Sequence, residues 1–81
     1  MNGENALAPE AITVDRLAEM LDCTPVAIRR RHARGQLPAP LETATRRLYW
    51  STSEVREWIG AGMPGRDRWI QLRAATERAG A

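Results

Sequence analysis

Apolar positions recur along this chain with a helical period, and residues that start and stop helices punctuate them. Val14, Leu17, Ala18 and Leu21 fall at i, i+3, i+4 and i+7, with Asp15, Arg16 and Glu19 outside that stripe. Thr13 precedes them as an N-cap whose hydroxyl can accept an orphan backbone N–H. Asp15 sits in the first turn, where the helix dipole favours an acid. The pattern predicts a helix over Val14–Leu21. Asp22-Cys23 interrupts it, and Thr24-Pro25 restarts one, with Thr as the cap and Pro at the first helical position. This second helix is expected to run to about Arg34, where Gly35 supplies a left-handed terminus. Two capped helices joined by a short turn make a helix-turn-helix.

The pattern then changes. Gln36-Leu37-Pro38-Ala39-Pro40 cannot be helical. Leu41–Arg47 is polar and Thr-rich, and Leu48-Tyr49-Trp50 is strand-like. These residues predict a short β-hairpin with arms near Leu37–Glu42 and Arg46–Trp50. Ser51-x-x-Glu54 is a capping box that starts a third helix at Thr52, with Val55, Trp58 and Ile59 as its apolar face. Gly60-Ala61-Gly62 ends it. Pro64 is expected to open a fourth helix to about Arg78, with Trp69, Leu72 and Thr76 along one side. The expected organisation is a mobile leader over 1–11, a folded unit over 12–60 and a helical extension over 61–81.

Composition sharpens this picture at one point. The chain has 81 residues and a formal net charge of only +2. All 12 cations are Arg, and their distribution is uneven. Residues 1–28 sum to −4, residues 29–47 to +5 and residues 48–81 to +1. The basic block falls on the second helix and the hairpin tip. Ile28 is the one large apolar residue in mid-helix and must face the core, so Arg29 and Arg30 face away. Arg can donate two hydrogen bonds to a guanine edge or hold phosphates. Arg46-Arg47 at the hairpin tip adds to the same basic surface.

Other chemistry finds little support. Such a short chain cannot enclose a large catalytic cleft. One Cys and one His form neither a disulfide framework nor a structural zinc site. No Gly-rich phosphate loop or nucleophile–base set is present, so no enzymatic activity and no cofactor are expected. Trp50 and Trp58 are expected in the core rather than as base-stacking platforms; Trp69 lies outside the minimal three-helix unit. Cys23 suits a small buried apolar position in the turn. No run of 18 apolar residues exists, and Met1-Asn2-Gly3-Glu4 lacks a signal-peptide pattern, so a cytoplasmic location is expected.

Thr13–Leu21 and Thr24–Arg30, the turn Gly35–Pro40, and Arg46–Ser51 followed by Glu54–Ile59 together resemble AlpA/excisionase-type winged helix-turn-helix proteins. That family is related more distantly to MerR regulators and phage small terminase subunits. The match covers about residues 12–60. It departs from the family at Arg31 or His32, where an apolar residue is usual. The resemblance implies a mainly α fold with a small β-hairpin wing and sequence-specific binding of double-stranded DNA. It implies a transcriptional regulator or excisionase of a phage or mobile element, with an integrase as partner in the excision case; the small interface of a single module calls for two or more copies, as a dimer or cooperative multimer. By position, Thr24, Val26, Arg29 and Arg30 match the groove-facing part of the recognition helix, Arg34 closes it, and Arg46 and Arg47 match the wing. The alternative is a protein-interaction module, such as a terminase-type adaptor or an antitoxin-like partner.

Overall fold

The capping residues do what their chemistry predicts. In the computed structural model, which describes residues 10–80, α1 spans Val14–Met20 and α2 spans Pro25–Ala33. Thr13 Oγ1 accepts from Arg16 N at 3.4 Å, and Thr24 Oγ1 accepts from Ala27 N at 3.1 Å. A third helix, α3, spans Thr52–Gly60, with Ser51 Oγ accepting from Glu54 N at 3.2 Å. The fourth, α4, spans Arg66–Gly80. It starts two residues after Pro64, because Gly65 O takes the first helical bond, from Trp69 N at 2.9 Å.

Three helices terminate in the same way. Each is followed by a left-handed residue whose neighbours bond back into the last turn, in the Schellman pattern. After α1, Cys23 N donates to Ala18 O and Asp22 N to Glu19 O. After α2, Gln36 N donates to Arg31 O and Gly35 N to His32 O. After α3, Met63 N donates to Trp58 O and Gly62 N to Ile59 O. Gly35 and Gly62 adopt φ of 69° and 94°. Asp22 reaches φ 56° with a side chain attached, which a short polar residue tolerates best after glycine.

The β structure differs from the expected hairpin. Strand β1, Ala11–Ile12, pairs antiparallel with strand β2, Trp50–Ser51, in the register Ala11↔Ser51 and Ile12↔Trp50. Thr52 N adds a bond to Glu10 O at 3.0 Å. The expected arm Leu37–Glu42 forms no strand. Pro38 and Pro40 remove two donors from it, and Trp50 finds its ladder partner at the N-terminal end instead. The segment 37–49 is a loop closed by one main-chain bond, Leu41 N to Tyr49 O at 2.7 Å. Ala11 belongs to the sheet rather than to the expected leader; residues 1–9 of that leader lie outside the described residues.

The core forms where these elements meet. Ile12, Leu17, Ile28, Leu37, Val55 and Trp58 are buried together with Trp50 and Trp69. Cys23 is half-buried against them. Each buried indole keeps its N–H partnered: Trp50 Nε1 donates to Pro38 O at 2.8 Å and Trp58 Nε1 to Pro64 O at 2.7 Å. Trp69 Nε1 donates to Glu54 Oε2 at 2.8 Å. Ile59, expected on the apolar face of α3, stays exposed. After Gly62 the chain folds back over Trp58, through Met63 N and Pro64 O, and leaves Ile59 uncovered. Glu54 does not close the reciprocal half of its capping box. Its carboxylate binds the Trp69 indole and Arg73 Nη1 at 2.9 Å, tying α4 to α3.

Candidate nucleic-acid interface

The placement of Ile28 sets the outer face of α2. Ile28 is fully buried, so the opposite side of the helix faces out. At about 100° per residue that arc runs, from one edge to the other, through Arg29, Ala33, Val26, Arg30 and Arg34. All five are exposed, while Ala27, Arg31 and His32 flank the core and are half-buried. Val26 is an apolar residue left 63% exposed at the centre of this arc. Thr24 is exposed at the head of the helix, with its oxygen engaged by Ala27 N.

The loop 37–49 comes back beside one edge of that arc. Arg29 of α2 and Arg46 and Arg47 of the loop line one open depression of about 240 Å³. Thr13, Val14 and Asp15 at the start of α1 line it too, with Leu48. Thr43 and Thr45 shape the loop tip by bonding to each other: Thr45 N donates to Thr43 Oγ1 at 3.3 Å. Among the described residues, Arg29, Arg30, Arg34, Arg46 and Arg47 have no carboxylate within 4.0 Å; the ion pairs formed are Arg16–Glu19 and Arg73–Glu54. Three guanidinium groups therefore face the depression against one carboxylate, that of Asp15. The sequence-derived set thus divides. Arg29, Arg46 and Arg47 share a site, while Arg30 and Arg34 lie on the far edge of α2 beyond Val26.

Two further residues hold this face in place: Arg66, which did not stand out in the sequence, and His32. Arg66 at the start of α4 donates from its backbone N to Gly35 O at 2.9 Å, from Nε to Leu37 O at 2.9 Å, and from Nη2 to His32 O at 3.2 Å. One signal was there: a cation in the first turn of a helix opposes the dipole, so such an Arg has a use elsewhere. His32 occupies the place where an apolar residue was expected. Its ring stands edge-on to Trp50, with centroids 5.9 Å apart, and so fills apolar space while its Nδ1 meets Arg66. Burial first, and the Arg66 guanidinium second, hold its pKa below the ordinary imidazole value.

Among the described residues, no group of His, Cys, Asp or Glu is placed to hold a metal ion, and no helix is long and apolar enough to cross a membrane. Compared with protein-family models, curated proteins and solved structures, the chain matches none.

Proposed function

We propose that this chain binds double-stranded DNA sequence-specifically, with α2 as the recognition helix of a winged helix-turn-helix and the loop 37–49 as its wing. The observation that carries this reading is the shared depression of Arg29, Arg46 and Arg47 beside an arc of α2 that also presents Arg30 and Arg34. Exposed arginines on a helix and an adjacent loop suit phosphates and base edges together. The N-terminal part of a recognition helix meets base edges first, which suits the positions of Thr24 and Val26.

On this reading residues 12–60 are the DNA-binding domain, and the role is that of a transcriptional regulator or excisionase of a phage or mobile element, as in AlpA-type proteins. A single module of this size offers an interface of about 600–1,000 Å². Useful specificity then calls for a dimer or several copies side by side on DNA, and an excisionase would work with an integrase. The test is titration of the full chain with duplex DNA over a range of salt. Neutralising about four to six phosphates gives a slope of log K against log salt of about −4 to −5. Absence of binding to any duplex at low salt overturns the proposal and leaves a protein-interaction role.

A further inference from the structure

The outward arc of α2 is not uniformly basic. Along its centre runs an apolar stripe, Val26 and Ala33, one above the other two turns apart. Arg29 borders this stripe on the side of the loop, where it lines a depression with Arg46 and Arg47. Arg30 and Arg34 border it on the other side. The most exposed large apolar side chain of α2 thus lies between two rows of cations. That arrangement matches the major groove, where phosphates flank base edges and the edge of one base is itself apolar. Thymine presents a 5-methyl group, while guanine presents two acceptors that suit Arg.

We infer that Val26 is a specificity-determining residue that reads a pyrimidine 5-methyl group in the major groove. This rests on the DNA-binding reading above and adds the chemistry of the base. The cations on either side fix the occupant: they draw a phosphate-lined groove over the stripe rather than an apolar protein face. Val26 sits in the first turn of α2, the end that reaches deepest in such a docking. Arg30 lies one turn further on, about 6 Å along the axis. That rise is near two base-pair steps of about 3.4 Å. The bound site therefore carries a thymine within two or three pairs of a guanine read by Arg29 or Arg30. A 5-methylcytosine offers the same methyl group.

The experiment starts from sequences selected by the full chain out of a random duplex pool. Each thymine of the selected site is replaced singly by deoxyuridine, which removes the methyl group and nothing else. One position is expected to lose about fourfold in affinity, the contribution of one buried methyl group. V26S, whose helical content is checked by circular dichroism, is expected to be indifferent to the same replacement. At that position 5-methylcytosine is expected to bind more tightly than cytosine, which separates a methyl contact from recognition of the thymine carbonyl. Selected sites in which no thymine-to-uracil change alters affinity overturn the inference while leaving DNA binding intact. An equal loss in V26S overturns it too, as does equal binding of the two cytosines. Failure to select any duplex overturns both readings together.

Discussion

Arg66 Nη2 lies 3.0 Å from His32 Nδ1, and this contact specifies the protonation state of the imidazole. A guanidinium only donates hydrogen bonds, so Nδ1 must accept. His32 is therefore neutral, with its proton on Nε2. A protonated His32 would set an N–H against an N–H in a half-buried place, beside a fixed positive charge. The same Arg66 bonds the carbonyls of His32, Gly35 and Leu37, so the end of α2 and the start of the loop are held by one side chain and its backbone.

A pH dependence of stability follows from that contact. The folded-state pKa of His32 lies below its ordinary value of 6.5, owing to burial and then to Arg66. Below 6.5 the unfolded chain binds a proton that the folded chain resists. Stability is thus fully present above about pH 6.5, falls as pH drops below it, and levels off below the folded-state pKa. Urea unfolding at pH 7.5 and 5.5 should show a lower midpoint at 5.5. His32→Gln, which removes the only imidazole of the chain, should abolish most of that difference.

Gly35→Ala should destabilise the fold by about 1 kcal/mol, through backbone strain alone. The residue adopts φ 69°, and a Cβ added there would meet nothing within 4 Å. Gly60→Ala is the matched control. Its added Cβ would also meet nothing within 4 Å, and no positive φ is involved. Chemical denaturation of the two variants should show a loss in the first and none in the second.

Trp58→Ala should cost about 3–5 kcal/mol, as for a large core side chain. The ring is 1% exposed and its N–H carries the Pro64 carbonyl, so the substitution leaves both a void and an unpaired acceptor. For a domain with a total stability of about 5–15 kcal/mol, that is a large fraction. Differential scanning calorimetry should show a strongly lowered Tm, and an unchanged Tm would contradict the packing described.

Arg29→Ala and Arg46→Ala should separate base reading from backbone contact. Both side chains are exposed and neither has a carboxylate partner among the described residues, so the Tm should hold in each. Arg46→Ala should weaken all duplexes about equally and reduce the salt slope by about 1. Arg29→Ala should cost about 1–3 kcal/mol on a selected site and relax discrimination there. Fluorescence anisotropy with selected and scrambled duplexes at several salt concentrations measures both.

Much of the candidate interface was legible in the sequence because helical periodicity is local. Once Ile28 is placed inward, Arg29, Arg30, Arg34 and Val26 must face out, and they do. That Arg29 shares a depression with Arg46 and Arg47, while Arg30 and Arg34 do not, was not legible. It depends on where a loop of thirteen residues returns, and nothing within α2 records that.

The starts of α1, α2 and α3 and the ends of α2 and α3 were settled by the sequence alone. Thr13, Thr24-Pro25, Gly35, Ser51 and Gly62 act on backbone groups within a few residues of themselves, so their effect needs no distant partner. Only the tertiary structure decided the pairing of Trp50–Ser51 with Ala11–Ile12, the use of Glu54 to hold Trp69 and Arg73, and the grip of Arg66 on His32. Strand edges, carboxylates and guanidinium groups can each satisfy several partners. Which one they take is set by the geometry of the whole core, where residues 15 to 40 positions apart in the chain are brought within hydrogen-bond reach.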